Sequence, residues 1–323
     1  MCATVFVAGA TGVLGRRLVD RLTDVGYGVV GLVRDDAGAE SVRSGGGLPH
    51  RGDVLDRGSI GEGVEGADVV INAATAIPTG TKPTAAEWER NDRIRREGTR
   101  NLAVVAAAEG VDRFVQQSVV WVARQSDGSA FDERAEPTPD RTTESAVDAE
   151  RIAREVGRDG VGDVTVLRGG WFYAPDSAQT RAIAESLLSG EMPIVGGGLL
   201  GRRDAVVSTI HADDAATAYV RAIEDGASGT FHVDDRPVTV ATFLRTFADA
   251  LDAPEPRRVP GWLARFAVGR DTVRFLTSSM PTTNDRFREV AAWEPTYPTV
   301  EEGVAAIVER WGREGYPFET EAG

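Results

Sequence analysis

The chain has 323 residues and a formal net charge of −14, with an isoelectric point near 4.8. A field of that sign repels polyanions and argues against nucleic acid as a partner. The single cysteine, Cys2, excludes an internal disulfide and any cysteine cluster for zinc. No apolar run approaches the roughly 20 residues of a membrane span, and no basic-then-apolar leader stands before the first strand, so a cytoplasmic protein without a membrane partner is expected. All basic residues but Lys82 are arginine; this acid-rich, lysine-poor balance suggests a halophilic source. A chain of this length suits one large domain or two unequal lobes.

The first element is a strand over Thr4–Ala8, followed by "GATGVLG" and a helix whose apolar stripe is Leu14, Leu18 and Leu22. Gly9 permits a tight turn, Gly12 lets backbone approach a pyrophosphate, and Gly15 lets the helix pack close to the strand. The helix N-terminus then offers N–H groups to phosphate; the alternative is a glycine turn with no ligand. The second strand, Gly28–Val33, ends on Arg34 rather than on the Asp or Glu that would take a ribose diol. A guanidinium there can grip a 2′-phosphate, so NADP is favoured over NAD. The bland reading of Arg34 is a surface arginine balanced by Asp35 and Asp36.

Further strands are expected over 67–73, 113–118, 164–168 and 206–210, with helices over 91–109, ending at Gly110, and 144–156. Lys82 lies in "AIPTGTKPT", a loop leaving the fourth strand. His211 opens "HADD", ahead of a helix expected to be capped by Asp213. Beyond Asp235 the pattern changes to a helix over 239–251 capped by Thr239, the Pro-rich "APEPRRVPGW", a short helix, and a final helical tail. Segments 44–47 and 196–198 read as loop tips. The fold class is α/β: a doubly wound parallel sheet, the Rossmann arrangement, with a small C-terminal α+β substrate lobe. The division expected is 1–168 plus 206–234 for the dinucleotide domain, and 169–205 plus 235–323 for the lobe.

"GATGVLG", "GDVLD" at 52–56, "VVINAAT" at 69–75, the stretch 91–118, "VLRGGWFYAPD" at 166–176, "IHADDAATAYVRAIE" at 210–224 and "AAWEPTYPTVEEGV" at 291–304 span nearly the whole chain. Together they resemble the short-chain dehydrogenase/reductase superfamily in its extended or atypical branch, the NAD-dependent epimerase/dehydratase group. The resemblance implies a cofactor set of Gly9, Ala10, Thr11, Gly12, Val13, Leu14, Gly15, Arg34 and Ser118. To these it adds Asp53 and Val54 beside the adenine, Ala73, Ala74 and Thr75 on the ribose side, and Gly170, Trp171 and Phe172 near the nicotinamide. A turn role for Asp53 and sheet packing for the alanines are the plain alternatives.

The superfamily's hydride chemistry rests on a Tyr-x-x-x-Lys pair that moves a proton and holds the ribose. Taking Glu150 as the family's glutamate places the lysine at Ala146 and the tyrosine at Thr142. Apart from any alignment, the one lysine, Lys82, follows Pro78 by four residues, so no tyrosine has a lysine four residues on. Ser118 matches the first serine of the family's "FVxxSSxxVYG", which puts the assisting position at Val119; a shift of one would restore Ser118.

Three readings follow. The first is an NADP-dependent oxidoreductase on a small, fairly apolar organic substrate, with Ser118, Lys82 or Tyr173 as proton donor and His211 a weaker candidate. The second is a non-catalytic NADP(H)-binding redox sensor or scaffold. The third, ranked lowest, is a nucleotide-sugar epimerase or dehydratase. Trp121, Trp171, Phe172, Tyr173 and Trp262 suit an apolar ligand or plain packing. The histidines His50, His211 and His232 show no metal-ligand spacing, and no metal is expected. A homodimer through helices 91–109 and 144–156 is the candidate assembly.

Overall fold

The computed structural model describes residues 3–80, 82–158, 160–196 and 204–315. Cys2, most of the 196–198 loop tip and the last residues of the expected lobe lie outside them. Seven parallel strands form the main sheet: β1 (Thr4–Ala8), β2 (Gly28–Val33), β3 (Leu48–Arg51), β4 (Val69–Asn72), β5 (Arg113–Val119), β6 (Asp163–Gly169) and, further along the chain, Gly229–Val233. Between β6 and that strand come β7 (Trp171–Tyr173), β8 (Ile194–Val195), β9 (Val206–Val207) and β10 (Thr209–His211), which makes Gly229–Val233 β11. The order across the sheet is β11-β6-β5-β4-β1-β2-β3. Chain direction across the sheet reverses between β1 and β4, and a crevice opens at the carboxyl ends of strands at such a switch.

Alternation along β1 explains both layers. Val5 and Val7 join Leu14, Leu18 and Leu22 of α1 (Val13–Asp24) on one face. Phe6 and Ala8 join Leu102, Ala103 and Ala106 on the other. Between β2 and β4 lie α2 (Asp36–Ser44) and α3 (Gly61–Val64). The expected helix over 91–109 begins earlier, at Thr84, whose side chain and Glu87 form a capping box. It runs as α4 (Ala85–Arg93), a π turn over Ile94–Gly98, and α5 (Thr99–Glu109), stopping at Gly110 with φ +69°. Next comes α6 (Glu144–Gly157).

The expected strand over 206–210 is broken. Val206–Val207 pairs antiparallel with β12 (Val238–Thr239), whereas Thr209–His211 pairs with β7. Ser208 is the pivot: its carbonyl accepts from the Trp171 N–H at 2.8 Å and its hydroxyl from the Thr282 N–H at 3.0 Å. The sheet's place beside β6 goes to β11, whose "GTFHV" carries too short an apolar run to announce itself.

A further core contains Trp171, Tyr173, Phe243, Phe247 and Trp311. It draws on α7 (Ala178–Leu188), α9 (Val240–Ala250) and α13 (Val300–Glu314), the last two capped by Thr239 and Thr299. α8 (Ala212–Glu224) packs on α1. The remaining elements are β13 (Arg258–Val259), α10 (Gly261–Val268), α11 (Arg270–Thr277) and α12 (Asp285–Ala291). No described helix is long and apolar enough to cross a membrane.

Candidate functional site

The turn after β1 is built for close approach. Gly9 has φ +83°, and a Cβ there would lie 2.6 Å from the Ala73 carbonyl oxygen. A Cβ on Gly15 would sit 1.9 Å from the Gly9 oxygen. Gly12 is different: a Cβ would meet only the Gly9 oxygen at 3.4 Å, so its outer side is open. Gly12 is also the N-cap of α1, with no side-chain cap, and the first-turn N–H groups have no partner within the helix. That cradle fits a pyrophosphate by geometry and by the positive end of the helix dipole. Ala10 and Leu14 turn inward and are buried, whereas Thr11 and Val13 are partly exposed.

Two arginines brace this turn from behind. Arg16 donates to the Thr11 carbonyl at 2.7 Å and to Asp176 at 2.6 Å. Arg17 donates to the Val13 carbonyl at 2.8 Å, to Asp176 at 2.7 Å, and to Asp213. Burial opposes the charge on Asp176, yet the hydrogen bonds from Arg17 and Arg16 outweigh it and hold the carboxyl far below its usual range.

At the end of β2, Arg34 is exposed. The acids that could balance it are engaged elsewhere: Asp35 caps α2 by accepting from the Gly38 N–H at 2.8 Å, and Asp36 pairs with Arg51. Arg51 lies opposite Val33 on β3 and reaches the Arg34 carbonyl at 3.4 Å. Two arginines thus stand side by side at the ends of β2 and β3. Asp53 closes a turn, accepting from the Leu55 N–H at 2.9 Å, and Val54 is buried against Gly98. Ala73 and Ala74 supply the backbone against which Gly9 packs, and Thr75 is exposed on the loop that follows.

The other end of the crevice is arranged differently. Ser118 is buried, and its hydroxyl donates to Glu150 at 2.6 Å. Glu150 also takes both prongs of Arg168, each at 2.8 Å. Burial alone would raise the Glu150 pKa, but Arg168 and then Ser118 reverse that and hold it low. Tyr173 donates inward to Asp235 at 3.0 Å, and burial followed by the Asp235 charge raises the phenol well above its ordinary value. Lys82 is exposed on the loop after β4. The structure therefore places the three candidate donors in separate surroundings, with no hydrogen bond or ion pair between any two among the described residues.

His211 replaces the expected Asp213 as the cap of α8, because its Nδ1 sits 3.3 Å from the Asp213 N–H and accepts from it. Burial lowers its pKa to about 4, and its ring packs between Tyr173 and Tyr297. Burial thus favours its neutral form, and its Nδ1 serves as the helix cap.

Gly170 is pinned between strands, donating to the Val233 carbonyl at 3.0 Å. Trp171 stacks on Phe243 at 5.0 Å and meets Phe275 of α11 edge-on at 5.4 Å; Trp121 meets the same Phe275 at 5.4 Å. Phe172 packs instead on the α1 side of the sheet, and Trp262 is exposed on α10. Of the aromatic residues singled out from the sequence, Trp121, Trp171 and Tyr173 thus share one core, against which Phe275 packs. A cavity of only about 20 Å³ lies there, lined by Trp121, Arg124, Asp140, Thr142, Asp271, Arg274 and Phe275. A wider cleft of about 530 Å³ opens alongside, lined by Gln125, Ser129, Phe131, Asp132, Arg134 and Thr282 among others.

Residues 5–233 match the model of the NAD dependent epimerase/dehydratase family. The chain belongs to that family. It is 33% identical over 312 residues, covering 93% of this chain and 98% of the relative, to a 3-diazoavenalumate denitrifying reductase from a Streptomyces species. Among solved structures it resembles the UDP-glucose 4-epimerase of Thermus thermophilus in complex with NAD, with TM-score 0.77, 19% identity and coverage of 96% and 99% of the two chains. It also resembles a human epimerase family protein with NADPH, with TM-score 0.78, 18% identity and coverage of 95% and 99%. At such identities these structures establish the fold. Family membership makes the extended short-chain dehydrogenase/reductase framework firm.

Several site residues escaped the sequence. Arg51 was invisible because parallel pairing of β3 beside β2 brings it to Arg34. Asp176 lay inside a quoted motif, but its partners are 160 and 159 residues away. Phe275 belongs to α11, one of three helices where the sequence suggested a single short one.

Proposed function

We propose that the protein is an NADPH-dependent reductase acting on a small, fairly apolar and strongly electrophilic organic compound. The observation that carries this reading is the glycine cradle at the open N-terminus of α1, with Arg34 at the ribose corner free of any acid partner among the described residues. Bound there, the cofactor would supply a hydride. The chain's own residues would do the holding: first-turn N–H groups take the pyrophosphate, Arg34 with Arg51 takes the 2′-phosphate, and Trp171 and Phe275 exclude water beside the nicotinamide.

The proton side of the reaction shapes the substrate class. A ketone becomes an alkoxide on accepting hydride and needs an acid. An acceptor that already carries positive charge, such as an aromatic diazonium, becomes neutral and needs none. The hydroxyls of Ser118 and Tyr173 are committed to Glu150 and Asp235, so an acceptor of the second kind suits this site. The reductase among its relatives, named for a diazo compound, supports the same class. We assign the core of 1–168 with 206–234 to cofactor and the remainder to the substrate.

The test is to incubate the protein with NADPH and a panel of aromatic diazonium compounds, enones, quinones and simple ketones, following loss of reduced-cofactor absorbance. Turnover of the diazonium or another activated acceptor, with simple ketones inert, is expected. Tight NADPH binding with no turnover anywhere would instead favour a redox sensor, a reading that the buried hydroxyls also support.

A further inference from the structure

The long helix over 85–109 is interrupted where it packs on α6. Residues Ile94–Gly98 form a π turn, and such bulges gather at functional positions. The side chain turned into the interior here is Arg95, only 6% exposed. Its neighbours have acids: Arg93 pairs with Glu97, and Arg96 with Asp148 and more distantly Asp92. Arg95 has no carboxylate within ion-pair distance among the described residues. Its Nη1 donates to the Thr142 carbonyl at 3.3 Å and the Ser145 hydroxyl at 3.5 Å, leaving most of its five N–H groups for other work. Burial drags its pKa down to about 10, opposed only by Asp92. A buried, unpaired guanidinium is costly to a fold.

Its position gives that cost a use. Asn91, one turn before Arg95, accepts from the Ala76 N–H at 3.0 Å, in the loop leaving β4. Thr99, one turn after, accepts from Asn72 at 2.9 Å, at the end of β4 itself. Arg95 lies between them and reaches the start of α6, donating to Thr142 just before the helix and to Ser145 in its first turn; the family resemblance puts the tyrosine and lysine positions here, at Thr142 and Ala146. Arg95 thus sits on the helix that contacts the ribose-side loop through Asn91, with its guanidinium turned towards the start of α6.

We propose that Arg95 is the cation of the nicotinamide end, its N–H groups holding the hydroxyls of the nicotinamide ribose in place of the missing lysine. This rests on the dinucleotide reading above. An arginine stays protonated, so it positions and supplies charge without moving a proton.

The test is NADPH titration with thermal unfolding on the full chain, for the wild type, Arg95→Met and Arg95→Lys. Arg95→Met is expected to weaken NADPH binding about 10- to 100-fold, the worth of a charged hydrogen bond. Its Tm should be unchanged or higher, because a buried unpaired charge has been removed. Arg95→Lys should recover most of the affinity. Wild-type affinity in Arg95→Met overturns the assignment. So does a lowered Tm or an unfolded Arg95→Met variant, either of which marks a structural strut. If the wild type itself fails to bind NADPH, the dinucleotide reading falls, an outcome distinct from a wild type that binds and an Arg95→Met that binds equally.

Discussion

The two ends of the crevice are built on opposite plans. At the β1 turn, backbone lies against backbone: Gly9 fits under Ala73, Gly15 fits against Gly9, and the open N–H groups of α1 face outward. At the β5 and β6 ends, side chains that could do proton chemistry face inward. Ser118 is bound to Glu150, Glu150 to Arg168, and Tyr173 to Asp235. The first end leaves backbone N–H groups open at a helix start; the second pairs its polar side chains with one another. On the proposed reading, the fold keeps a cofactor site while its proton-transfer groups serve as scaffold, and the chemistry left open is the kind that needs orientation and charge more than an acid.

That contrast can be broken from either side. The largest effect is expected from Gly15→Ala, whose methyl would overlap the Gly9 carbonyl. NADPH binding should vanish from a fluorescence titration, with the Tm lowered as well; retained binding would mean the turn is not the docking site. Next is Glu150→Ala, which strands the buried Arg168. Removing one partner of a buried pair costs about 3–5 kcal/mol, so denaturant unfolding should show a loss of that order while any remaining folded protein binds NADPH normally. An intact stability would deny Glu150 its scaffold role.

Arg34→Ala sharpens the cofactor end. It should weaken NADPH about 10- to 100-fold and leave NADH nearly unchanged; equal losses would remove the 2′-phosphate from the account. Ser118→Ala should cost only about 1 kcal/mol of stability and spare turnover. A variant that folds well but loses all turnover would return Ser118 to catalysis.

A separate effect concerns pH. Burial pushes Asp234 up to about 7, a rise only partly offset by the Thr282 hydroxyl. Its folded pKa exceeds the unfolded value, so its burial is tolerated in acid and costs stability as pH rises from about 4 to about 7. His232, lowered to about 3 by burial, and His211 act oppositely, costing stability as pH falls below about 6.5. Asp234→Asn should therefore raise the Tm by a few degrees at pH 8 and change it little at pH 4. An equal shift at both pH values would contradict this.

Much of the framework was legible because it is written locally. Glycine spacing, the Leu14, Leu18 and Leu22 stripe and the Gly110 stop each act within a few residues, and the structure reproduces them. What was hidden depends on distance or on departures from regular period. Arg95 reads in the sequence as one more charge in "NDRIRREG", since nothing in a period of 3.6 announces a π turn. The surroundings of Ser118 were hidden too, because the sequence does not show that Glu150 and Arg168 close around it. The split at Ser208 likewise follows from contacts with Trp171 and Thr282, which lie well apart in the chain.

The central claim is tested most directly by calorimetric titration of the wild-type protein with NADPH and NADH under identical salt. Saturable binding of NADPH, clearly tighter than that of NADH, is the predicted result. No saturable binding of either dinucleotide, or a preference for NADH, would contradict the account.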